Sequence, residues 1–207
     1  MNLQKNIQNI WAIGRNYADH AKELGNSIPQ EPLIFLKSGA TILTSGQSLS
    51  LPPHSQNVHH EVEMAIQLGE DLQPANVAIA LDLTARDLQE ELKKKAHPWT
   101  LAKSFIHSTP LGTFTSIKNC RDLSKLRLQL LVNGEIRQQG STSQMIFSTE
   151  SILEYLKPRV PLCPGDLLLT GTPQGVGAIQ KDDELRAQLL DENGKILSEG
   201  LWTVQRN

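Results

Sequence analysis

Strict alternation of apolar and polar residues predicts a half-buried strand near the end of the first third of the chain. Apolar side chains occupy positions 62, 64, 66 and 68, which is typical of a strand with one face in the core. Glu61 and Glu63 flank Val62 in this alternation, so their side chains point the same way, about 7 Å apart. Two such carboxylates repel each other unless a cation lies between them, and Mg²⁺ suits these oxygen ligands. A solvated acidic face is the alternative for this pair taken alone.

Other short apolar runs predict further strands. Residues 126–132 alternate into Asn133-Gly134, a strong two-residue hairpin signal that Asn193-Gly194 repeats near the end of the chain. The remaining predicted strands cover residues 10–14, 32–37, 77–83 and 167–169. This many strands favours a strand-rich α+β fold, arranged as a curled sheet or sandwich.

Helical patterns are fewer and shorter. In the first, Asn16 is a candidate N-cap and Gly25 stands where a left-handed residue often ends a helix. In the second, Thr84 and Asp87 have the spacing of a capping box, and Pro98 ends the pattern. The predicted helices cover residues 16–24, the segment from 84 to Pro98, and residues 148–156.

Composition limits the classes of function. The 207 residues carry a formal net charge of -2, which provides no basic field for nucleic acid or an anionic membrane. No apolar stretch approaches the length of a membrane span, residues 1–5 lack the apolar core of a signal peptide, and the isolated Cys120 and Cys163 fit no metal-ligand spacing. We therefore expect a single domain over residues 1–207 and a cytoplasmic location.

Two charged residues stand in otherwise apolar segments. Asp82 lies between Leu81 and Leu83, so the alternation points it away from the side on which the leucines pack. A buried carboxylate needs a partner or a metal, although a cap for the helix beginning at Thr84 fits equally well. Lys103 lies in a run, LAKSF, that we interpret as a short strand. It is either an ordinary surface lysine or a fixed charge for a developing oxyanion.

Two further features have both a functional and an ordinary interpretation. His20 and Glu23 are three residues apart on the first predicted helix and can share a face. A histidine held by a carboxylate is a general-base arrangement, but such pairs are also common on surfaces. The run from Thr170 to 177 lacks the Gly-Lys-Ser/Thr ending of a phosphate loop. It is either a glycine-rich turn or a source of backbone donors for a small anion.

Five segments, in this order, resemble the fumarylacetoacetate hydrolase family, and the resemblance covers nearly the whole chain. They are GRNYADH at 14–20, HHEVE at 59–63, LDLTARD at 81–87, LAKSF at 101–105 and LTGTPQGVG at 169–177. The run KKK at 93–95, followed by PWTLAK at 98–103, is similar to the small single-domain branch that acts on acylpyruvates and oxaloacetate.

The resemblance implies a mixed β-sandwich roll with a few short helices, usually assembled as a homodimer. It implies that Mg²⁺ or Mn²⁺ is bound by Glu61, Glu63 and Asp82. The chain departs from the family pattern after the first metal strand, where an extra helical segment is usual. Here residues 71–76 run almost directly into Val77. A second departure is Ile106, which stands where many relatives have aspartate.

The same resemblance assigns roles to the other candidate residues. His20 and Glu23 correspond to a water-activating pair on a short mobile helix that orders over bound substrate. Lys103 corresponds to the lysine beside the metal. The residues that correspond to contacts with the substrate's carboxylate and oxo groups are Arg86, Gln89 and Thr172.

The implied chemistry is cleavage of a carbon–carbon bond in a small 2-oxo acid through a metal-bound pyruvate enolate. Acylpyruvate hydrolysis would use water activated by His20, whereas oxaloacetate decarboxylation would reach the same enolate by losing CO₂. The pair of His20 and Glu23 favours these two reactions. One alternative is an oxaloacetate enol–keto tautomerase, and another is an isomerase or decarboxylase of aromatic catabolism. A non-catalytic β-domain, in which Ca²⁺ is purely structural, is the alternative that is not an enzyme.

Overall fold

Sixteen strands, four short α-helices and a few 3₁₀ turns form the regular structure of this computed structural model, which describes residues 7–23, 25 and 27–206. Residues 1–5, where no signal peptide is expected, and Leu24, the predicted end of the first helix, lie outside the described residues. The strands are β1 Asn9–Gly14, β2 Leu33–Ser38, β3 Ile42–Thr44, β4 Ser48–Leu51, β5 Val58–His60, β6 Val62–Leu68, β7 Pro74–Leu81, β8 Thr84–Ala85, β9 Thr109–Leu111, β10 Thr115–Ser116, β11 Arg127–Val132, β12 Glu135–Ser141, β13 Leu167–Leu169, β14 Gly177–Ala178, β15 Glu184–Leu190 and β16 Ile196–Arg206. The helices are α1 Ala18–Glu23, α2 Arg86–Lys94, α3 Thr100–Lys103 and α4 Thr149–Leu156.

A mixed sheet of eight strands carries the candidate site. Its order is β2-β1-β13-β6-β7-β9-β3, and β10 pairs with β7. Strands β6 and β7 are joined directly by a tight turn, in which Gly69 N donates to the Gln73 carbonyl. A hairpin turn at residues 69–73 therefore stands where the family resemblance implies an extra helical segment.

The main core lies between this sheet and a second sheet of five strands, ordered β12-β11-β15-β16-β4. From β6 the core receives Val62, Met64 and Ile66, and from the second sheet it receives Leu128 and Leu189. The opposite face of β6 is also buried, with Ala65 in a separate apolar cluster. The predicted alternation is therefore present, but the expectation of a half-buried strand is wrong because both faces are covered. The strand-rich α+β fold is confirmed.

Both predicted hairpins form, with different turns. Asn133 and Gly134 have φ of 53° and 80° and join β11 to β12, as expected for a two-residue turn with two left-handed residues. In the second, only Gly194 of the Asn-Gly pair has positive φ, at 84°. There Gly194 N donates to the Asp191 carbonyl within a longer loop between β15 and β16.

The helix ends differ from the sequence-based expectation at two N-termini. Helix α1 begins at Ala18, and Asn16 is not its cap, because its buried side-chain amide bonds to Phe147 and Thr170. Helix α2 begins at Arg86 without a side-chain cap. The capping box predicted at Thr84 does not form, because Thr84 pairs with β5 as part of β8.

Two helix ends follow the predicted signals. Gly25 has φ of 66° just after α1, which is the left-handed conformation expected there. Helix α4 has Ser148 as its N-cap, and the Ser148 side chain accepts a hydrogen bond from Ser151 N. Its last residue, Leu156, lies where the sequence predicts the end of this helix.

Candidate metal centre and active site

The pairing of β6 with β7 brings three carboxylates together. The register places Val62 opposite Leu81, so Glu61 and Asp82 face each other at the end of the hairpin, where Asp82 N donates to the Glu61 carbonyl at 2.8 Å. Leu81 packs in the main core, and alternation therefore turns Asp82 to the other side of the sheet. Glu63 lies on that same side by the same alternation.

The three carboxylates form a compact, buried acidic triad. One oxygen from each of Glu61, Glu63 and Asp82 lies within 4.8 Å of the other two. The residues are 5%, 2% and 0% exposed. The structure therefore brings together all three residues that the sequence nominates as metal ligands.

Three cations accompany the triad. Lys103 Nζ donates to Glu61 at 2.8 Å and to Asp82 at 2.5 Å. Lys37, which is fully buried, donates to the other oxygen of Asp82 at 2.5 Å and to the Ser108 carbonyl at 2.7 Å. Arg86 forms an ion pair with the other oxygen of Glu61. Burial of so many charges is tolerated only because each is paired or hydrogen-bonded.

Glu63 differs from its two neighbours because no cation among the described residues forms an ion pair with it. Burial raises the pKa of the Glu63 carboxyl, and the negative charges of Asp82 and Glu61 raise it further. Burial also raises the pKa of Glu61, but Lys103 and Arg86 outweigh that effect and hold it below its ordinary value. A bound cation would relieve the repulsion at Glu63.

The donor set fits a hard divalent cation. Mg²⁺ and Mn²⁺ prefer carboxylate oxygens, and Mg²⁺ often uses few protein ligands so that substrate or water completes its shell. Three convergent carboxylate oxygens in a buried pocket meet that requirement. Softer metals would call for cysteine or histidine ligands, and the triad contains neither.

Lys103 reaches the triad from a helix, so our interpretation of its segment as a strand is wrong. It is the last residue of α3, and Lys103 N donates to the Trp99 carbonyl at 3.0 Å. The apolar run 101–105 is too short for periodicity to distinguish a strand from one helical turn. Its side chain is buried against Glu61 and Asp82.

The three candidate substrate-binding residues line the same pocket as the triad. Arg86 Nη1 donates to Gln89 Oε1 at 2.7 Å across one turn of α2. Thr172 lies on the glycine-rich loop after β13, where its hydroxyl accepts from Gln138 Nε2 at 2.9 Å. The structure thus brings these residues together as the sequence comparison implied.

His20 and Glu23 form a hydrogen-bonded dyad at the pocket. His20 Nδ1 lies 3.2 Å from Glu23 Oε2, and His20 is only 4% exposed. The other Glu23 oxygen accepts from Gly175 N at 3.0 Å, while Gly171 N donates to Glu63 at 2.6 Å. The glycine-rich loop therefore directs these two backbone donors at carboxylates of the site.

Sequence reasoning missed three cations of this site, namely Lys37, which pairs with Asp82, and Arg15 and Lys93. Lys37 shares a face of β2 with Phe35, which lines the pocket, so its position in an apolar strand was the available signal. Arg15 and Lys93 also line the pocket. In contrast, Ile106, the second departure from the family pattern, is 75% exposed and lies outside it.

Comparisons with known proteins agree with this geometry. The mitochondrial oxaloacetate tautomerase FAHD1 of Rattus norvegicus is 46% identical over 190 residues, covering 87% of this chain and 86% of that protein. The human protein of the same name is 42% identical with the same coverage. The structure of fumarylpyruvate hydrolase from Pseudomonas aeruginosa, in complex with Mn²⁺ and pyruvate, matches with a TM-score of 0.89 at 30% identity. That match covers 97% of this chain and 91% of the hydrolase.

The helices and the family match also bear on what kind of protein this is. No α-helix among the described residues is long and apolar enough to cross a membrane. The model of the fumarylacetoacetate (FAA) hydrolase C-terminal family matches residues 9–201, nearly the full length of the chain. The chain therefore belongs to the fumarylacetoacetate hydrolase family.

Proposed function

We propose that this protein is a divalent-metal-dependent enzyme that interconverts the enol and keto forms of oxaloacetate, a small 2-oxo acid. The observation that carries the proposal is the buried triad of Glu61, Glu63 and Asp82 in one pocket with Lys103 and the dyad. The relatives named as oxaloacetate tautomerases support this choice of reaction. A purely structural Ca²⁺ site would have no need of a lysine and a histidine beside it.

The triad would hold Mg²⁺ or Mn²⁺, and the Mn²⁺ complex of the Pseudomonas aeruginosa hydrolase supports this choice. When bound, the cation supplies a Lewis acid that polarises the 2-oxo group of the substrate. Lys103 adds a fixed positive charge at the same place, since its ammonium group already contacts Glu61 and Asp82. It would offset the negative charge that develops on the substrate oxygen. Arg86, Gln89 and Thr172 would bind the 1-carboxylate and orient it.

His20 would move the proton. Its Nδ1 is held by Glu23, so Nε2 is left to take a proton from C3 of the keto form while the electron pair moves to the 2-oxo oxygen. Protonation of that oxygen gives the enol, and the reverse sequence regenerates the keto form. Glu23 would orient the ring and stabilise its protonated form.

Hydrolysis of acylpyruvates is the second candidate, favoured by the same dyad. His20 would then take its proton from water, which attacks the distal carbonyl before the bond between C3 and C4 breaks. The likeness to a fumarylpyruvate hydrolase supports this reading. Decarboxylation of oxaloacetate, which needs no attacking water, is a third reaction that the same site would support.

The test follows oxaloacetate, its enol form and acetylpyruvate in parallel by NMR, with the purified protein and added Mg²⁺. The proposal expects acceleration of enol–keto exchange that EDTA abolishes and Mg²⁺ restores. Cleavage of acetylpyruvate without any effect on exchange would make hydrolysis the function. Full activity in EDTA would show that neither candidate reaction depends on a metal.

Three expectations stay predictions: one domain over residues 1–207, a homodimer, and a cytoplasmic location. Because the relatives are named as mitochondrial proteins, the test of location is whether this protein is found in the cytoplasm or in mitochondria. Cell fractionation and light scattering of the purified protein would test the location and the dimer.

A further inference from the structure

Two cations on the rim of the active-site pocket have no carboxylate partner in the part of the chain that the structure describes. Arg15 directly follows β1, and Lys93 lies in the last turn of α2. Both line the pocket that contains the triad. Among the described residues neither forms an ion pair, whereas the buried cations around the triad, Lys37, Lys103 and Arg86, all do.

Lys93 is positioned by its helix and by an aromatic ring, and Arg15 by the turn that follows β1. Lys93 lies on the face of α2 that also carries Arg86 and Gln89, since spacings of three and four residues bring side chains to one side of a helix. Its ammonium group sits 5.4 Å from the centre of the Trp99 ring, a cation–π contact. Arg15 has φ of 60°, a conformation that is uncommon for residues other than glycine.

The charge balance of the pocket favours a ligand with two negative charges. The three carboxylates of the triad are equalled in number by the three cations Lys37, Lys103 and Arg86, which pair with Asp82 and Glu61. A divalent cation would therefore leave a net positive pocket before Arg15 and Lys93 are counted. The buried Nε of Arg86 also has no hydrogen-bond partner among the described residues. A 2-oxo monocarboxylate would leave the rim cations unmatched.

We propose that Arg15 and Lys93 form the subsite for the distal carboxylate of the substrate and are the residues that discriminate a dicarboxylic from a monocarboxylic 2-oxo acid. This inference rests on the proposed function, because it takes the 2-oxo acid end of the ligand to lie at the triad. Burial lowers the pKa of Lys93, and the nearby charges of Arg86 and Arg15 lower it further, which is the crowding that an anion between them would relieve.

The test compares the binding of two unreactive ligands that differ only at the distal end. Malate and 2-hydroxybutyrate share the 2-hydroxy acid group, but malate ends in a carboxylate and 2-hydroxybutyrate in a methyl group. Their dissociation constants are measured by calorimetry with Mg²⁺ present for the wild type, Arg15→Gln, Lys93→Gln and Lys94→Gln. Lys94→Gln is the matched control, because it removes the same charge from the exposed neighbouring position of the same helix.

We expect the wild type to prefer malate by at least about tenfold, since a charge-assisted hydrogen bond commonly has that effect. Arg15→Gln and Lys93→Gln should each remove most of that preference and leave 2-hydroxybutyrate binding within about twofold, while Lys94→Gln behaves as the wild type. Lys93→Arg should restore most of the preference. The subsite would be overturned if Arg15→Gln and Lys93→Gln weakened the binding of malate and 2-hydroxybutyrate equally. It would also be overturned if Lys94→Gln reduced the preference for malate as much as they do.

The outcome for the subsite is separate from that for the proposed function. If the wild type does not act on oxaloacetate but prefers malate in a manner that depends on Arg15 and Lys93, the subsite stands and the reaction is wrong. If it acts on oxaloacetate and both rim variants keep the wild-type KM, the reaction stands and the subsite is wrong. A raised KM for oxaloacetate at nearly unchanged kcat supports both.

Discussion

Replacing Glu63 by glutamine should stabilise the metal-free protein, although the residue is buried in the candidate site. Two like charges within 4.8 Å of each other repel by at least about 3.5 kcal/mol at an effective dielectric constant of about 20. Glu63 faces two such charges, which Lys37, Lys103 and Arg86 partly offset. We therefore expect Glu63→Gln to raise the free energy of unfolding by about 1–3 kcal/mol in EDTA, or the Tm by about 2–10 °C for a chain of this size.

The matched control is Glu61→Gln, the same substitution two residues away on the same face. Glu61 is paired with Lys103 and Arg86, so its loss leaves buried cations unpaired and should lower the Tm instead. Thermal unfolding of both variants and the wild type is followed in EDTA and in excess Mg²⁺. Mg²⁺ at 100 times its Kd should stabilise the wild type by about 2.7 kcal/mol and Glu63→Gln much less.

The stabilisation by Glu63→Gln should depend on pH in a defined direction. Because the pKa of Glu63 is raised in the folded protein above its ordinary value of 4.5, the folded state favours the protonated carboxyl. Stability of the metal-free wild type is therefore lost as the pH rises above that ordinary value. The advantage of Glu63→Gln should vanish near pH 4 and grow towards neutral pH. An unchanged or lower Tm of Glu63→Gln at neutral pH in EDTA would refute the reasoning.

Three further perturbations address the dyad, the glycine-rich loop and helix α1. His20→Ala should slow proton transfer by about 10²–10⁴-fold while calorimetry finds the Mg²⁺ affinity unchanged; an intact rate would show that the dyad assignment is wrong. Gly171→Ala should lower the free energy of unfolding by about 2 kcal/mol or more, because φ is +95° and the new Cβ would lie 2.6 Å from Asn16 Cβ. Chemical denaturation measures this loss, and a variant as stable as the wild type would contradict the prediction. Oxalate, a mimic of pyruvate enolate, should slow hydrogen exchange in α1 when Mg²⁺ is present, since a helix of six residues has low local stability without a ligand. Equal exchange with and without oxalate would argue against ordering of this helix over the substrate.

The sequence by itself determined the local features of the site. Alternation over residues 61–68 put Glu61 and Glu63 on one face, and Leu81 and Leu83 turned Asp82 away from the main core. Both results follow from the two-residue period of a strand, which each segment carries within itself. The spacing of His20 and Glu23 similarly predicted a shared helical face. For the same reason the hairpin at Asn133-Gly134 was predictable, since the turn is specified by the two residues that form it.

Tertiary structure decided how these local features meet. The register between β6 and β7 placed Asp82 opposite Glu61, and neither strand specifies that register alone. Lys37 reaches Asp82 from a strand 45 residues away in the chain, so its local pattern could not reveal its partner. The segment ending in Lys103 formed a helix rather than a strand, because so short an apolar run adopts whichever conformation its packing favours. Periodicity is a property of one segment, whereas register, partner and burial depend on packing between segments distant in sequence.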